Sequence, residues 1–159
     1  NSYAVDAIPL QLTTVSINEL VNKIVQQWLA IPENEEIQID VHFLKVDANT
    51  DIDVVRIQQI FTNLLNNAKK YSMSGTRVYV TLTETNNCAV LTIKNVSKYE
   101  LSGDAKELTE RFKRADLARH TEGSGLGLAI ATSIVHLHGG TLDITADGDL
   151  FKVTVELPC

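Results

Sequence analysis

The chain has 159 residues, enough for one domain with a proper core, and its 44% hydrophobic and 21% charged residues are ordinary for a soluble globule. A net charge of −6 argues against nucleic acid or an anionic membrane surface as a nonspecific partner. The two cysteines, Cys88 and Cys159, form no Cys-x-x-Cys and no disulfide framework, so a reducing cytoplasm is expected; there is no signal sequence, and the start at Asn1 rather than Met reads as an excised piece.

Residues 1–10 read as a connector, with Pro9 stopping any helix that enters, and residues 11–159 as the domain. Ser16-Ile-Asn-Glu19 has capping-box spacing, and Leu20, Val21, Ile24, Val25, Trp28 and Leu29 give a first helix its apolar face until Pro32 ends it. The alternating run 37–43 predicts a strand with His42 on its solvent side, followed by a short extended piece near 44–48. A second helix is predicted over 53–71, then strands over 77–84 and 89–95 joined by the hairpin-like turn Thr85-Asn-Asn87. Residues 96–124 show little periodicity beyond a short helical piece at 105–114, and loops of that length are functional or mobile. A third helix runs from 127 to 138, Gly139-Gly140 ends it, and strands over 141–145 and 151–157 close the sheet. This mixture predicts an α/β two-layer sandwich, an α+β fold with one mixed, largely antiparallel sheet and three helices on one face.

The second helix carries the chemistry. Asn63, Asn67, Lys70 and Tyr71 are spaced to share a face, opposite an apolar stripe of Ile57, Ile60, Phe61, Leu64, Leu65 and Ala68. Mg²⁺ takes hard oxygen ligands, only one or two of them from protein when phosphates supply others, and a side-chain amide oxygen suits that role. Alone, such residues on an amphipathic helix are ordinary solvated groups. Further along, Gly123-Ser-Gly125-Leu126-Gly127 runs into an apolar-periodic helix; glycines let backbone N–H groups approach an anion, and the positive helix end favours it. The run fits neither the dinucleotide fingerprint nor the P-loop.

Together, Asn63–Tyr71 resembles the N box, and Gly123–Ile130 the second glycine box, of the ATP-binding catalytic domain of sensor histidine kinases, within the superfamily that includes gyrase, Hsp90 and MutL. Their order and separation, the tail His136-Leu-His138-Gly-Gly140 and the closing run Phe151–Pro158 resemble the kinase branch, and the match covers about Leu12 to Pro158. The resemblance implies a Bergerat-type fold, ATP and Mg²⁺ as ligands, and residues 96–124 as a nucleotide lid. It implies that Asn67 ligates Mg²⁺, that Asn63 supports metal and phosphates, and that Lys70 and Tyr71 contact the nucleotide. It also implies that Arg114 meets the terminal phosphate, that Phe112 is an aromatic of the F box, and that Gly123, Gly125, Leu126 and Gly127 form the glycine box. Asn67, Lys70 and Arg114 would carry catalysis, which in phosphoryl transfer is mostly positioning and charge stabilisation. Lys69, Lys98, Arg111 and Lys113 are further sources of local positive charge.

Two departures qualify the match. Where the family's first glycine box reads Asp-x-Gly-x-Gly, with the Asp accepting from the adenine amino group, this chain has Asn95-Val-Ser97-Lys-Tyr99; an Asn oxygen can accept that bond, and its NH₂ adds donors a carboxylate lacks. The F box has Thr109 and Lys113 where aromatics are common. None of His42, His120, His136 and His138 sits in the phosphoacceptor motif that relatives carry on an upstream dimerising hairpin, so this piece is expected to bind nucleotide without phosphorylating itself. The expected partners are that upstream domain and a response regulator, in a homodimeric, membrane-anchored parent whose catalytic part is cytoplasmic. The alternative function is a non-catalytic interaction module of the same fold, kept open by the altered glycine box.

Overall fold

The computed structural model describes residues 9–44, 48–98 and 124–159. In chain order the elements are β1 (Thr13–Ser16), α1 (Ile17–Leu29), a 3-10 turn at Pro32–Asn34, β2 (Gln38–Leu44), β3 (Asn49–Ile52), α2 (Val54–Tyr71), β4 (Arg77–Thr85), β5 (Cys88–Val96), α3 (Ser124–Leu137), β6 (Thr141–Asp147) and β7 (Leu150–Pro158). Five strands form a sheet in the order β2-β4-β5-β7-β6, antiparallel except for the parallel β2–β4 pair. The mixed, largely antiparallel sheet with three helices expected from the sequence is the observed architecture.

Strict alternation along the strands sets the two layers. Val78, Val80 and Leu82 of β4 point inward with Ala89, Leu91 and Ile93 of β5 and with Val153, Val155 and Leu157 of β7, while Tyr79, Thr81 and Thr83 face the other side. The inner face joins one core with the stripes of all three helices: Leu20, Val21, Ile24, Val25 and Trp28 of α1, Ile57 to Ala68 of α2, and Leu128, Ala131, Ile134 and Val135 of α3. Each aliphatic side chain buried this way contributes about 1.5–3 kcal/mol, so the layered pattern is the main source of stability.

Local signals fix the element ends. The Ser16 hydroxyl accepts from the Glu19 N–H at 3.4 Å and caps α1, as the capping-box spacing predicts. Asn86 and Asn87 adopt φ of 50° and 62° in a two-residue turn between the paired Thr85 and Cys88, the geometry that Asn tolerates best after Gly. Gly140 lies against β7, where an added Cβ would sit 2.0 Å from the Glu156 carbonyl oxygen, so only glycine lets β6 begin there.

Two features differ from the sequence reading. The segments Thr13–Ser16 and Asn49–Ile52, to which the sequence pattern assigns no element, form a separate antiparallel ribbon, β1–β3, in which Ile52 is buried. Four-residue strands are too short for alternation to show in sequence. Helix α3 begins at Ser124 rather than after Gly127, so Gly125, Leu126 and Gly127 lie within its first turn instead of in a preceding hinge. The short helical piece expected at 105–114 and most of the 96–124 loop lie outside the described residues, but Val96 continues β5 and Ser97 bridges to Ser72.

Candidate functional site

Helix α2 positions the candidate residues. At about 100° per residue, each four-residue step advances about 40° beyond a full turn, so Asn63, Asn67 and Tyr71 fan across roughly 80° of the helix surface. Asn63 is exposed and borders a groove with Val55, Gln58, Gln59 and Thr62, whereas Asn67 and Tyr71 are buried, 8% and 7% exposed. The shared solvent-facing stripe expected from the spacing is thus a spiral that leaves solvent at Asn63 and enters the protein at Asn67. Lys70 is half-buried, its Nζ 5.4 Å from the centre of the Tyr71 ring.

A narrow pocket opens where the spiral enters. Its walls are Leu64, Asn67, Ala68 and Tyr71 of α2, Ile93 and Asn95 of β5, Leu128 of α3, and Phe151 and Val153 of β7. Asn95 extends the inward series Ala89, Leu91, Ile93, and its cross-strand neighbours are Val78 and Phe151. The alternation therefore puts an amide where it calls for a hydrocarbon. Asn95 is 1% exposed, and its Nδ2 has no hydrogen-bond partner. A buried donor left unpaired costs about 1–3 kcal/mol, a cost a native fold carries where a ligand relieves it.

The chain leaving α2 holds this floor in place. The Met73 N–H donates to the Val96 carbonyl at 2.8 Å, the Lys98 N–H to the Tyr71 carbonyl at 2.9 Å, and the Ser97 N–H to the Asp149 carbonyl at 2.7 Å. These bonds fasten the last turn of α2 to the end of β5, which brings Tyr71 and Asn95 to one pocket. Leu128, one turn into α3, completes the wall and sets the positive end of that helix beside it. The N–H groups of a helix's first turn lack intrahelical partners and favour an anion. Phe112, Arg114 and Gly123 lie outside the described residues.

Other residues of the same motif are structural. The Trp28 indole N–H donates to Asn66 Oδ1 at 2.9 Å, and Lys69 Nζ donates to Asn34 Oδ1 at 2.7 Å and to the Glu33 carbonyl at 2.8 Å. Asn66 thus ties α2 to the end of α1 and Lys69 ties it to the 3-10 turn that follows, and the Lys69 charge, counted above as a source of local potential, is committed there.

A second polar cluster sits at the opposite end of α2. Asp53 caps the helix by accepting from the Arg56 N–H at 3.3 Å, accepts from the Gln11 N–H at 3.1 Å, and pairs with the Arg56 guanidinium. Its own N–H donates to His138 Nε2 at 3.0 Å, while His138 Nδ1 lies 2.8 Å from the Ile134 carbonyl that accepts from it. Burial pushes the Asp53 carboxyl up, but the bonds from Gln11 and Arg56 outweigh it and hold the group below its ordinary 3.8. His138 thereby joins the end of α3 to the start of α2, a role that spacing alone does not signal. Among the described residues no group of three or more His, Cys, Asp or Glu could hold a metal ion.

The fold is that of a known ATPase class. Residues 52–159 match the family described as histidine kinase-, DNA gyrase B- and HSP90-like ATPase, and the chain belongs to it. It is 40% identical over 107 residues to the probable sensor protein PcoS of Escherichia coli, covering 65% of this chain and 22% of that protein. It is 30% identical over 147 residues to the sensor histidine kinase YvrG of Bacillus subtilis, covering 89% of this chain and 24% of that protein. The chain therefore spans about a quarter of the length of these relatives. The nucleotide-free catalytic domain of histidine kinase ThkA has the same fold, with a TM-score of 0.77 at 21% identity over 94% of this chain and 96% of that one. Within the family, the chain is an ATP-binding domain of the sensor histidine kinase type.

Proposed function

We propose that this chain binds Mg·ATP in the pocket between α2, β5, β7 and α3 and donates the γ-phosphate to a histidine on a separate domain of a two-component sensor kinase, from which a response regulator is charged. The observation that carries the reading is the unpaired Asn95 amide on the floor of an otherwise largely apolar pocket walled by Asn67 and Tyr71. A purine is flat and apolar on its faces and polar on its edge, which suits that floor.

The donor set fits a phosphate-bound Mg²⁺. Asn67 offers one hard amide oxygen with no acidic cage around it, the pattern of a metal held largely by water and substrate phosphates. A bound Mg²⁺ would supply positive charge to offset that of the phosphates. Asn67 would hold it from α2, with Asn63 supporting from one turn earlier. Lys70 would meet phosphate charge from the half-buried flank of the helix, and Tyr71 would pack on the base. The first turn of α3, with Gly125 and Gly127, would present N–H groups to the phosphates. Arg114 would meet the terminal phosphate and Phe112 would anchor the segment around it. The parent would be a membrane-anchored homodimer with this part in the cytoplasm; no described helix is long and apolar enough to cross a membrane.

The test is a titration with a non-hydrolysable ATP analogue, with and without Mg²⁺. Binding is expected near micromolar Kd, on the order of −8 kcal/mol, weakened sharply by Asn95→Ala and losing its metal dependence in Asn67→Ala. Joined to the upstream phosphoacceptor domain, the chain should yield acid-labile phosphate. Wild type without metal-dependent affinity would remove the kinase reading and leave the non-catalytic module.

A further inference from the structure

We infer that Asn95 makes the pocket tolerant of the purine 6-position, so that nucleoside triphosphates carrying a 6-oxopurine are held about as well as ATP. The inference rests on the nucleotide reading above and goes beyond it by naming a specificity determinant.

Asn95 Nδ2 is buried at the pocket lining with no partner, so the site is missing an acceptor. A carboxylate at this place could only accept hydrogen bonds, whereas an amide presents an acceptor and two donors side by side. Adenine offers an amino donor at N6 beside an acceptor at N1; a 6-oxopurine offers an acceptor at O6 beside a donor at N1. A half-turn of the amide about its Cβ–Cγ bond matches either edge with two hydrogen bonds.

Among the described residues, the sheet and α3 sides of the lining do not correct for that freedom. The lining residues contributed by β5, β7 and α3 besides Asn95 are Ile93, Phe151, Val153 and Leu128, which offer no polar side-chain atom to tell N6 from O6, and the other polar side chains of the lining, Asn67 and Tyr71, stand on α2. Apolar walls discriminate weakly between isosteric polar substituents, and strong rejection comes from a polar group left unpaired. With Asn95, neither base leaves one.

The test displaces a fluorescent ATP analogue from the wild-type chain with ATP and with ITP, whose base has O6 and N1–H but lacks the extra 2-amino group of guanine. ITP is expected to compete within tenfold of ATP. In Asn95→Asp, ATP should still compete while the ITP-to-ATP ratio worsens by tenfold or more, because a carboxylate faces the O6 lone pairs. Wild-type ITP more than tenfold weaker than ATP overturns the inference, and this measurement needs no variant to fold. An unchanged ratio in a folded Asn95→Asp overturns it equally. If ATP itself fails to compete, the nucleotide reading falls and takes the inference with it, a result distinct from ATP binding without ITP.

Discussion

The two ends of α2 carry buried polar clusters of opposite character. At its start, the Asp53 carboxylate and N–H meet Gln11, Arg56 and His138, with each bond made inside the protein. Near its end, the Asn95 amide stands across the pocket from Asn67 with its Nδ2 unpaired. A closed network of this kind holds secondary structure together, and an open one is completed from outside. On the proposed function the contrast separates residues that build the domain from those that would meet its ligand, even though Asp53 and Asn95 are buried to a similar degree.

Mutation should split the two clusters in sign as well as size. The largest expected effect is in Asp53→Ala, which removes a cap and strands a part-buried guanidinium; denaturant unfolding should register a loss of about 2–4 kcal/mol, with nucleotide affinity of the folded fraction little changed. Asn95→Leu should do the reverse, leaving stability unchanged or raising it by about 1–2 kcal/mol while weakening ATP binding at least tenfold, and a clear loss of stability there would erase the distinction. Asn66→Ala, which breaks the bond from Trp28 at the α1–α2 junction, should cost about 1 kcal/mol in the same unfolding assay and spare the titration.

The smallest effect is the pH dependence. The Asp53 carboxyl is held below its ordinary 3.8, so its stabilising bonds are fully present above that value and disappear as pH falls through the lower folded one. Wild type should therefore lose unfolding free energy more steeply than Asp53→Asn when the pH is lowered below about 4.

Much of this contrast is visible in the letters alone. The core faces of α1 and α2 follow the 3.6 period, and the hairpins follow their Asn and Gly turns. Asn95 could be placed on the core side by counting in twos from Ala89, and Asn67 beside the core by counting from Leu64. The apolar walls at Ile93, Phe151 and Val153 carry no signal that separates them from ordinary core, because only the packing of α3 turns them into a lining. His138 and Asp53 lie 85 positions apart, and no local pattern encodes their bond. The β1–β3 ribbon escaped for a related reason: its four-residue strands are polar and held by pairing, not by a periodic apolar face.

That small ribbon has a mechanical consequence. Ser16, its last residue on one side, caps α1, while Ile52 on the other side runs straight into Asp53, the cap of α2, and the Ile17 N–H donates to the Ala48 carbonyl at 3.2 Å. Both helices therefore share a handle outside the main sheet. A change that unpairs the ribbon would loosen the caps of α1 and α2 together, while the far end of α2 stays tied to β5 through Met73, Val96, Tyr71 and Lys98.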